Sequence, residues 1–596
     1  MSVEFQAGSP ARETFTSPVD SDFSPGALDA LGFIVGPHSD SGMLERAELV
    51  AAGWGVQMHE VVLSLGWVSP RDYTNRLADV LGVRSAFNNI GDVSDNQALI
   101  DATGARPSDV ARAVEAARSR FGDVVLYSGS RPEDGEPESD RRARLWCAVE
   151  SLRQLAPQLS AGCRMPLWQP VLVCALIGFS VGVTLIDRQL AYFAVGFGIA
   201  VPIALAVGLR LLALLSHLIL PRPRLDRRRL RVNMHGLPVY TVLVPLYREA
   251  EILPDLVDAV MRLDYPAAKL DVLLVLEEVD IETRIAAAAL VLPGFIRIIT
   301  VPDAQPRTKP KALNFAIEYA RGEFIAVYDA EDIPEPRQLR DAVDLFHANP
   351  EIDFLQARLN IYNPSHSFLT RQFAIEYTML FDGLLPALER LGVPLPLGGS
   401  SNHFRHRVLA EAGAWDPFNV TEDADLGLRL ARDRRRVAVL ASTTWEEAPA
   451  DFAAWLPQRT RWIKGWMQTC LVHLRRPGLL WRELGPWGFI GFLCLIGGFL
   501  LSVLLHPVLY VIVAVELTRP VPFEPGPTLI AKAFWWLALF NLAGGFLAAI
   551  LLGVVTTLRR GWPALALLTP LMPLYWLLSS FAAYRALYQL FTAPHH

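Results

Sequence analysis

Cysteine is scarce and unpatterned: Cys147, Cys163, Cys174, Cys470 and Cys494 stand apart, with no CxxC pair and no Cys/His spacing. That excludes a zinc ribbon or a disulfide framework and suits a reducing compartment. An excess of basic charge is also missing. The formal net charge is −6, so nucleic acid is not an expected partner. Residues 1–30 hold no apolar run, and no cleavable signal peptide is expected there. No internal repeat is evident. Charged residues make up only 19% of the chain against 52% hydrophobic, and mean hydropathy is +0.27. A water-soluble protein of 596 residues is seldom so apolar, so membrane-spanning segments are expected.

Those segments are legible as runs. LWQPVLVCALIGFSVGVTLI (167–186) has the length of one crossing and AYFAVGFGIAVPIALAVGL (191–209) that of a second, so 165–220 reads as two transmembrane helices. Arg210 lies where its side chain can snorkel. The arginine-dense PRPRLDRRRLR (221–231) follows, and the positive-inside bias places this end, with both flanking soluble parts, in the cytoplasm. A multi-pass protein of a bacterial inner membrane is the expectation. Residues 487–591 hold about three more segments, the second ending at Arg559-Arg560. Pro570 and Pro573 allow the last to begin broken or re-entrant.

Residues 1–45 read as a disordered tail, 46–128 as a small helical regulatory or docking domain, and 129–164 as a charged linker. Ser69 before Pro70 is an expected N-cap, and a second helical unit starts the same way at Ser108. The spacing over 50–128 resembles the N-terminal module of type II secretion and pilus ATPases, which binds cyclic di-GMP in some members. An Arg-Leu-Gly opens the binding repeat there, whereas this chain has Gln57-Met58-His59. Cyclic di-GMP is therefore not expected at 46–128.

Residues 236–455 alternate short apolar runs (VYTVLVPL, DVLLVLEE, IRIITVP, EFIAVYDAED) with helical stretches, the pattern of an α/β domain with a largely parallel sheet. Ligands in such sheets bind at the carboxyl ends of strands. Polar residues gather there: Tyr247-Arg248-Glu249, Glu277-Glu278 and Asp329-Ala330-Glu331-Asp332. Asp329 with Glu331, or with Asp332, suits Mg²⁺ or Mn²⁺, although an ordinary acidic turn would look the same. Thr421-Glu422-Asp423 opens a helix and reads either as a cap or as the seat of a general base at Asp423. Lys309 and Lys311 stand at a helix start where they could meet a diphosphate. Gly398 and Gly399 suit a backbone lying close to substrate. Gln458, Arg461 and Trp462, one helical turn in extent, begin a 456–485 stretch of interfacial helices; they suit a pyrophosphate and a stacked sugar, or a plain interfacial anchor.

In order, Pro245-x-Tyr247-x-Glu249, Glu277-Glu278, Lys311, Asp329-Ala330-Glu331, Thr421-Glu422-Asp423 and Gln458-x-x-Arg461-Trp462 resemble the processive family 2 glycosyltransferases, which include cellulose and hyaluronan synthases. The resemblance spans about 165–590. It implies a GT-A (Rossmann-like) cytosolic domain inserted between transmembrane α-helices. It also implies a UDP-sugar pocket from Pro245, Tyr247, Glu249 and Glu277, with Lys311 at the diphosphate. A metal would sit on Asp329 with Glu331 or Asp332, the catalytic carboxylates would be Asp423 and Glu422, and Gln458, Arg461 and Trp462 would hold pyrophosphate and acceptor. The chain departs from the family pattern at Glu277, where Asp is common, and at Glu331. It also lacks a Phe-x-Val-Thr gating loop and a PilZ-like module. The expected activity is polymerisation of a UDP-sugar into an exopolysaccharide coupled to export, with the growing polymer and the bilayer as partners and other export components left open. Alternatives are a non-processive transferase acting on a lipid carrier and a silent nucleotide-binding signalling protein.

Overall fold

The computed structural model describes residues 42–69, 72, 138–219, 233–518 and 524–592. Most of the module expected over 46–128, including the unit at Ser108, lies outside them, as does the arginine-rich 221–231. Described from the module are α1 (Gly42–Trp54) and α2 (Met58–Ser64), which bury Leu44, Ala47, Val61 and Val62 in a cluster of their own. The Asp72 N–H donates to the Ser69 hydroxyl at 3.0 Å, the contact expected of that cap.

Part of the stretch expected as a linker over 129–164 is helical. Helix α3 (Glu138–Leu155) occupies much of it, with Leu145, Ala148, Val149 and Leu152 on one stripe facing the α/β domain. Dense arginines conceal that stripe in the sequence. Helices α4 (Trp168–Ile186) and α5 (Arg188–Ile219) follow.

Eight strands form one sheet: β1 (Tyr240–Leu246), β2 (Leu270–Glu277), β3 (Ile296–Val301), β4 (Phe324–Val327), β5 (Ile333–Pro334), β6 (Phe354–Ile361), β7 (Asn402–Arg405) and β8 (Val437–Glu446). Their order is β3-β2-β1-β4-β7-β6-β8-β5. The first four are parallel, as their Val- and Leu-rich runs suggest, with β1 pairing Val242 to Val272 on one side and to Ala326 on the other. The far half is mixed: β7 runs antiparallel to both β4 and β6. Alternate β1 residues face opposite layers. Tyr240, Val242 and Val244 meet α6 (Leu253–Met261) and α7 (Ile281–Ala289), while Leu243 meets α8 (Lys309–Ile317). Each buried Leu or Val contributes about 1.5–3 kcal/mol, and this double-sided burial fixes the register.

The remaining helices are α9 (Gln338–Ala348), α10 (Phe368–Tyr377), α11 (Leu385–Leu391), α12 (His406–Glu411), α13 (Glu422–Arg432), α14 (Phe452–His473), α15 (Pro477–Phe492), α16 (Gly498–Leu517), α17 (Leu529–Leu539), α18 (Gly545–Arg559), α19 (Pro563–Ala566) and α20 (Met572–Thr592). Among the described residues five helical segments are long and apolar enough to cross a membrane: Trp168–Ile186, Arg188–Ser216, Pro477–Leu517, Leu529–Arg559 and Pro563–Thr592. Exposed Val171, Leu176, Ile177 and Phe179 on α4 give a surface suited to lipid rather than water. Around Pro570 and Pro573 the last segment is broken into α19, a 3₁₀ turn and α20.

These helices are fused to the sheet domain. Leu209 of α5, Phe381, Met467 of α14, Cys494 and Tyr575 of α20 share one apolar cluster. Arg560, just past α18, pairs with Asp382 in a π-helical turn (Thr378–Leu384), and Arg358 of β6 approaches the same carboxylate at 3.3 Å.

Candidate active site

The site builds up along the carboxyl rim of the parallel strands. Past β1, Arg248 takes a left-handed backbone (φ 61°) held by its N–H donating to Asp280 at 2.5 Å. That twist exposes Tyr247, with the Arg248 guanidinium 5.2 Å from its ring centroid. Burial pushes the Glu249 carboxyl up to about 7, with Asp329 and Glu331 adding to the rise. At the end of β2, Glu277 accepts from Lys311 Nζ at 2.8 Å, and its other oxygen is buried without a partner.

Lys311 is fully buried on that bond and on the Ala304 carbonyl at 3.1 Å. Lys311, expected at a diphosphate, is thus turned inward, and Lys309 is the lysine that opens on the rim. Two residues along a helix are about 200° apart. Lys311 therefore faces the core, while Lys309 reaches Asp329 Oδ1 at 2.5 Å and the Gly399 carbonyl at 2.6 Å.

Past β4, Asp329 is half-exposed and Glu331 exposed. Asp332 is not an outward ligand: it is 2% exposed and accepts from the Asp329 N–H at 2.8 Å and from the Ser400 hydroxyl. It braces the loop. Of the three expected ligands, Asp329 and Glu331 face outward, and no cluster of three His, Cys, Asp or Glu able to hold a metal occurs among the described residues. Two carboxylates suit Mg²⁺ or Mn²⁺ when waters and phosphate oxygens complete the shell.

Asp423 and Glu422 open α13. The Thr421 side chain does not cap it; the hydroxyl lies 3.3 Å from Thr469 Oγ1 on α14. A Cβ on Gly465 would stand 2.3 Å from Thr421 Cγ2, so a glycine is required for this close approach. Asp423 is buried, accepts from the Trp415 indole N–H at 2.7 Å, and is pushed up to about 6 by burial against the pull of Lys309 and Trp415. Glu422 is pushed up to about 8 by burial and by Asp423, with Lys309 and Arg461 opposing. Burial pushes the Glu331 carboxyl up, Asp329 and Glu447 add to the rise, and Lys309 and Arg461 oppose it, which puts Arg461 of α14 near this acidic rim. On the same helix Trp462 is half-buried, 5.8 Å from Phe373 and 6.4 Å from Tyr377, and Gln458 Oε1 is buried unpartnered.

Lys309, Asp329, Glu331, Glu422, Asp423 and Arg461 thus lie near enough to act on one another's charge, with Glu249 beside Asp329 and Glu331 and the Tyr247 N–H donating to Glu249. Three further groups carry no local sequence signal. Trp415 reaches Asp423, Glu446 at the end of β8 bonds Tyr377, and Arg459 is clamped to Glu376 at 2.6 Å and to Tyr575 at 2.6 Å.

Residues 238–465, which contain every one of these groups except Tyr575, match the family model described as Glycosyltransferase like family 2. They are a glycosyltransferase family 2 domain. Its sheet is GT-A-like, parallel in the first half and mixed in the second. The domain is 27% identical over 239 residues to a probable glycosyltransferase, YdaM, of Bacillus subtilis (strain 168), covering 39% of this chain and 57% of the relative. It is 26% identical to cellulose synthase 2 of Novacetimonas hansenii, covering 41% of this chain and 16% of the relative. A beta-monoglucosyldiacylglycerol synthase of Trichormus variabilis is also 26% identical, with 41% and 53% covered. The chain spans about half the length of these relatives or less.

Proposed function

We propose that the protein is a membrane-embedded inverting glycosyltransferase that polymerises a UDP-sugar into an exopolysaccharide and couples synthesis to export across a bacterial inner membrane. The observation that carries the proposal is the convergence of Asp329, Lys309, Asp423 and Arg461 on one rim beside half-buried Trp462. Tyr247, Glu249 and the unpartnered oxygen of Glu277, beside Pro245, suit a nucleoside that offers N–H and O–H donors. Asp329 and Glu331 would hold Mg²⁺ or Mn²⁺, which offsets charge on a departing diphosphate. Lys309 and Arg461 add positive charge at the same place. Asp423 accepts the proton of the acceptor hydroxyl as its oxygen bonds the anomeric carbon and the C–O bond to UDP breaks on the opposite face. Trp462 stacks on the acceptor sugar. Arg559 and Arg560, with the arginines at 221–231, favour a cytoplasmic catalytic face.

Asp423→Asn is expected to abolish incorporation of labelled UDP-sugar in membranes while UDP affinity stays within about twofold. Retained turnover would remove Asp423 from the role of base. A second reading is transfer of one sugar to a lipid. It is favoured by the 26% identity to a glucosyldiacylglycerol synthase and by the partial covering of Trp462 by Phe373 and Tyr377. A lipid-soluble product bearing one sugar, in place of a ladder of polymer on a gel, would decide for it.

A further inference from the structure

Trp415 is fully buried, its ring standing edge-on to Phe404 at 5.9 Å. Its indole N–H donates to Asp423 Oδ1, and no protein hydrogen bond reaches Oδ2 among the described residues. That second oxygen lies against Gly399, 3.9 Å from where a Cβ would stand, beside the carbonyl that takes Lys309. One oxygen of the carboxylate is tied and the other is left to the site.

Trp415 is itself held from two directions. Asn314 of α8 accepts from its backbone N–H at 3.0 Å and donates to its carbonyl at 2.8 Å. The same amide donates to the Ala148 carbonyl of α3 at 3.0 Å. The neighbouring Asp416, wholly buried, accepts from the Ser160 hydroxyl at 3.0 Å, the Ala161 N–H at 2.6 Å and the Phe418 N–H at 3.2 Å. Arg475, beyond the end of α14, donates to the carbonyls of Pro157, Ser160 and Cys163. A Cβ on Gly162 would stand 2.7 Å from the Phe418 ring, so the segment lies close against this loop. Residues 145–163, which lie outside the matched domain and just before α4, therefore form a strap across the loop ahead of α13.

We propose that Trp415 is a positioning residue for Asp423, presenting Oδ2 to the acceptor by holding Oδ1, and that the 145–163 strap holds Trp415 for this task. The proposal rests on the reading of Asp423 as base. The chain ahead of the membrane helices is then part of the catalytic apparatus.

The test replaces Trp415 in the full-length protein with 3-benzothienylalanine, which keeps the ring shape and substitutes sulfur for the N–H. The expected result is a fall in kcat on the order of tenfold with donor KM and UDP affinity within about twofold, since one charge-assisted hydrogen bond is lost. A role in packing alone would leave this isostere as active as the wild type, and that result overturns the proposal. So does a rise in KM at constant kcat. Ser160→Ala should lower kcat about two- to fivefold at unchanged UDP affinity; unchanged kcat would detach the strap from the site. Asp423→Asn serves as the separate control. If it turns over, the base assignment fails; if it is inactive while the isostere matches wild type, only the positioning role fails.

Discussion

Arg459 offers the sharpest test of how the site helix is anchored. Its guanidinium makes two bonds to Glu376, at 2.9 and 2.6 Å, and one to the Tyr575 hydroxyl at 2.6 Å. It lies 5.0 to 5.6 Å from the rings of Phe373, Trp455, Trp462 and Tyr575. The Arg459 side chain is 7% exposed, whereas Glu376 is 31% exposed. Breaking a buried ion pair from one side costs about 3–5 kcal/mol. Glu376 can regain some water when abandoned, so Arg459→Met should cost about 3 kcal/mol. At roughly 1 °C per kcal/mol in a chain this large, the apparent melting midpoint in detergent falls by about 3 °C. Arg459→Lys keeps the charge but not the planar fork, and should lose about half as much. The double variant Arg459→Met/Glu376→Leu, which leaves no unpaired charge, should recover most of the loss. Thermal shift on the four purified proteins gives the double-mutant cycle. A double variant as unstable as Arg459→Met would show that the pair's charges are not what holds α14 to α10 and α20.

Three other outcomes follow from the site. Because burial pushes the Asp423 carboxyl up to about 6 and a base must be ionised, kcat/KM should fall about tenfold per unit as pH drops below 6, and flatten above; a flat profile from pH 5 to 8 would contradict it. Lys309→Ala should lower kcat/KM by on the order of a hundredfold in a folded protein, whereas Lys311→Met strands buried Glu277 and should cost about 3–5 kcal/mol; thermal shift and turnover measured side by side separate them. Gly465→Ala drives a methyl into Thr421 and should displace the start of α13, cutting kcat at least tenfold, with Thr421→Gly on that background restoring activity in a turnover assay.

Local chemistry was readable along the chain and long-range packing was not. The runs of β1, β2 and β4 announce themselves because each is buried on both faces, and carboxylates at their ends mark the rim. Choosing between Lys309 and Lys311 needs the rotation of α8 against the sheet, which neighbouring letters do not carry. The choice between Glu331 and Asp332 likewise depends on Ser400, far along the chain, taking Asp332 inward. Strand β7 hides because Asn402 and His403 look like loop residues; they are buried, with His403 Nδ1 2.7 Å from the Tyr240 hydroxyl. Trp415 and Arg459 act through partners distant in sequence, such as Ala148 and Tyr575.

The apolar cluster running from Leu209 through Phe381 and Met467 to Tyr575 has an evolutionary corollary. Where two folding units keep separate interiors, recombination can exchange one for another and leave both intact. Here, beside the sheet domain's own two clusters, a third is shared with the long apolar helices packed on it, so neither half is a free module. A change of side-chain volume on α20 in this cluster is felt directly on α14.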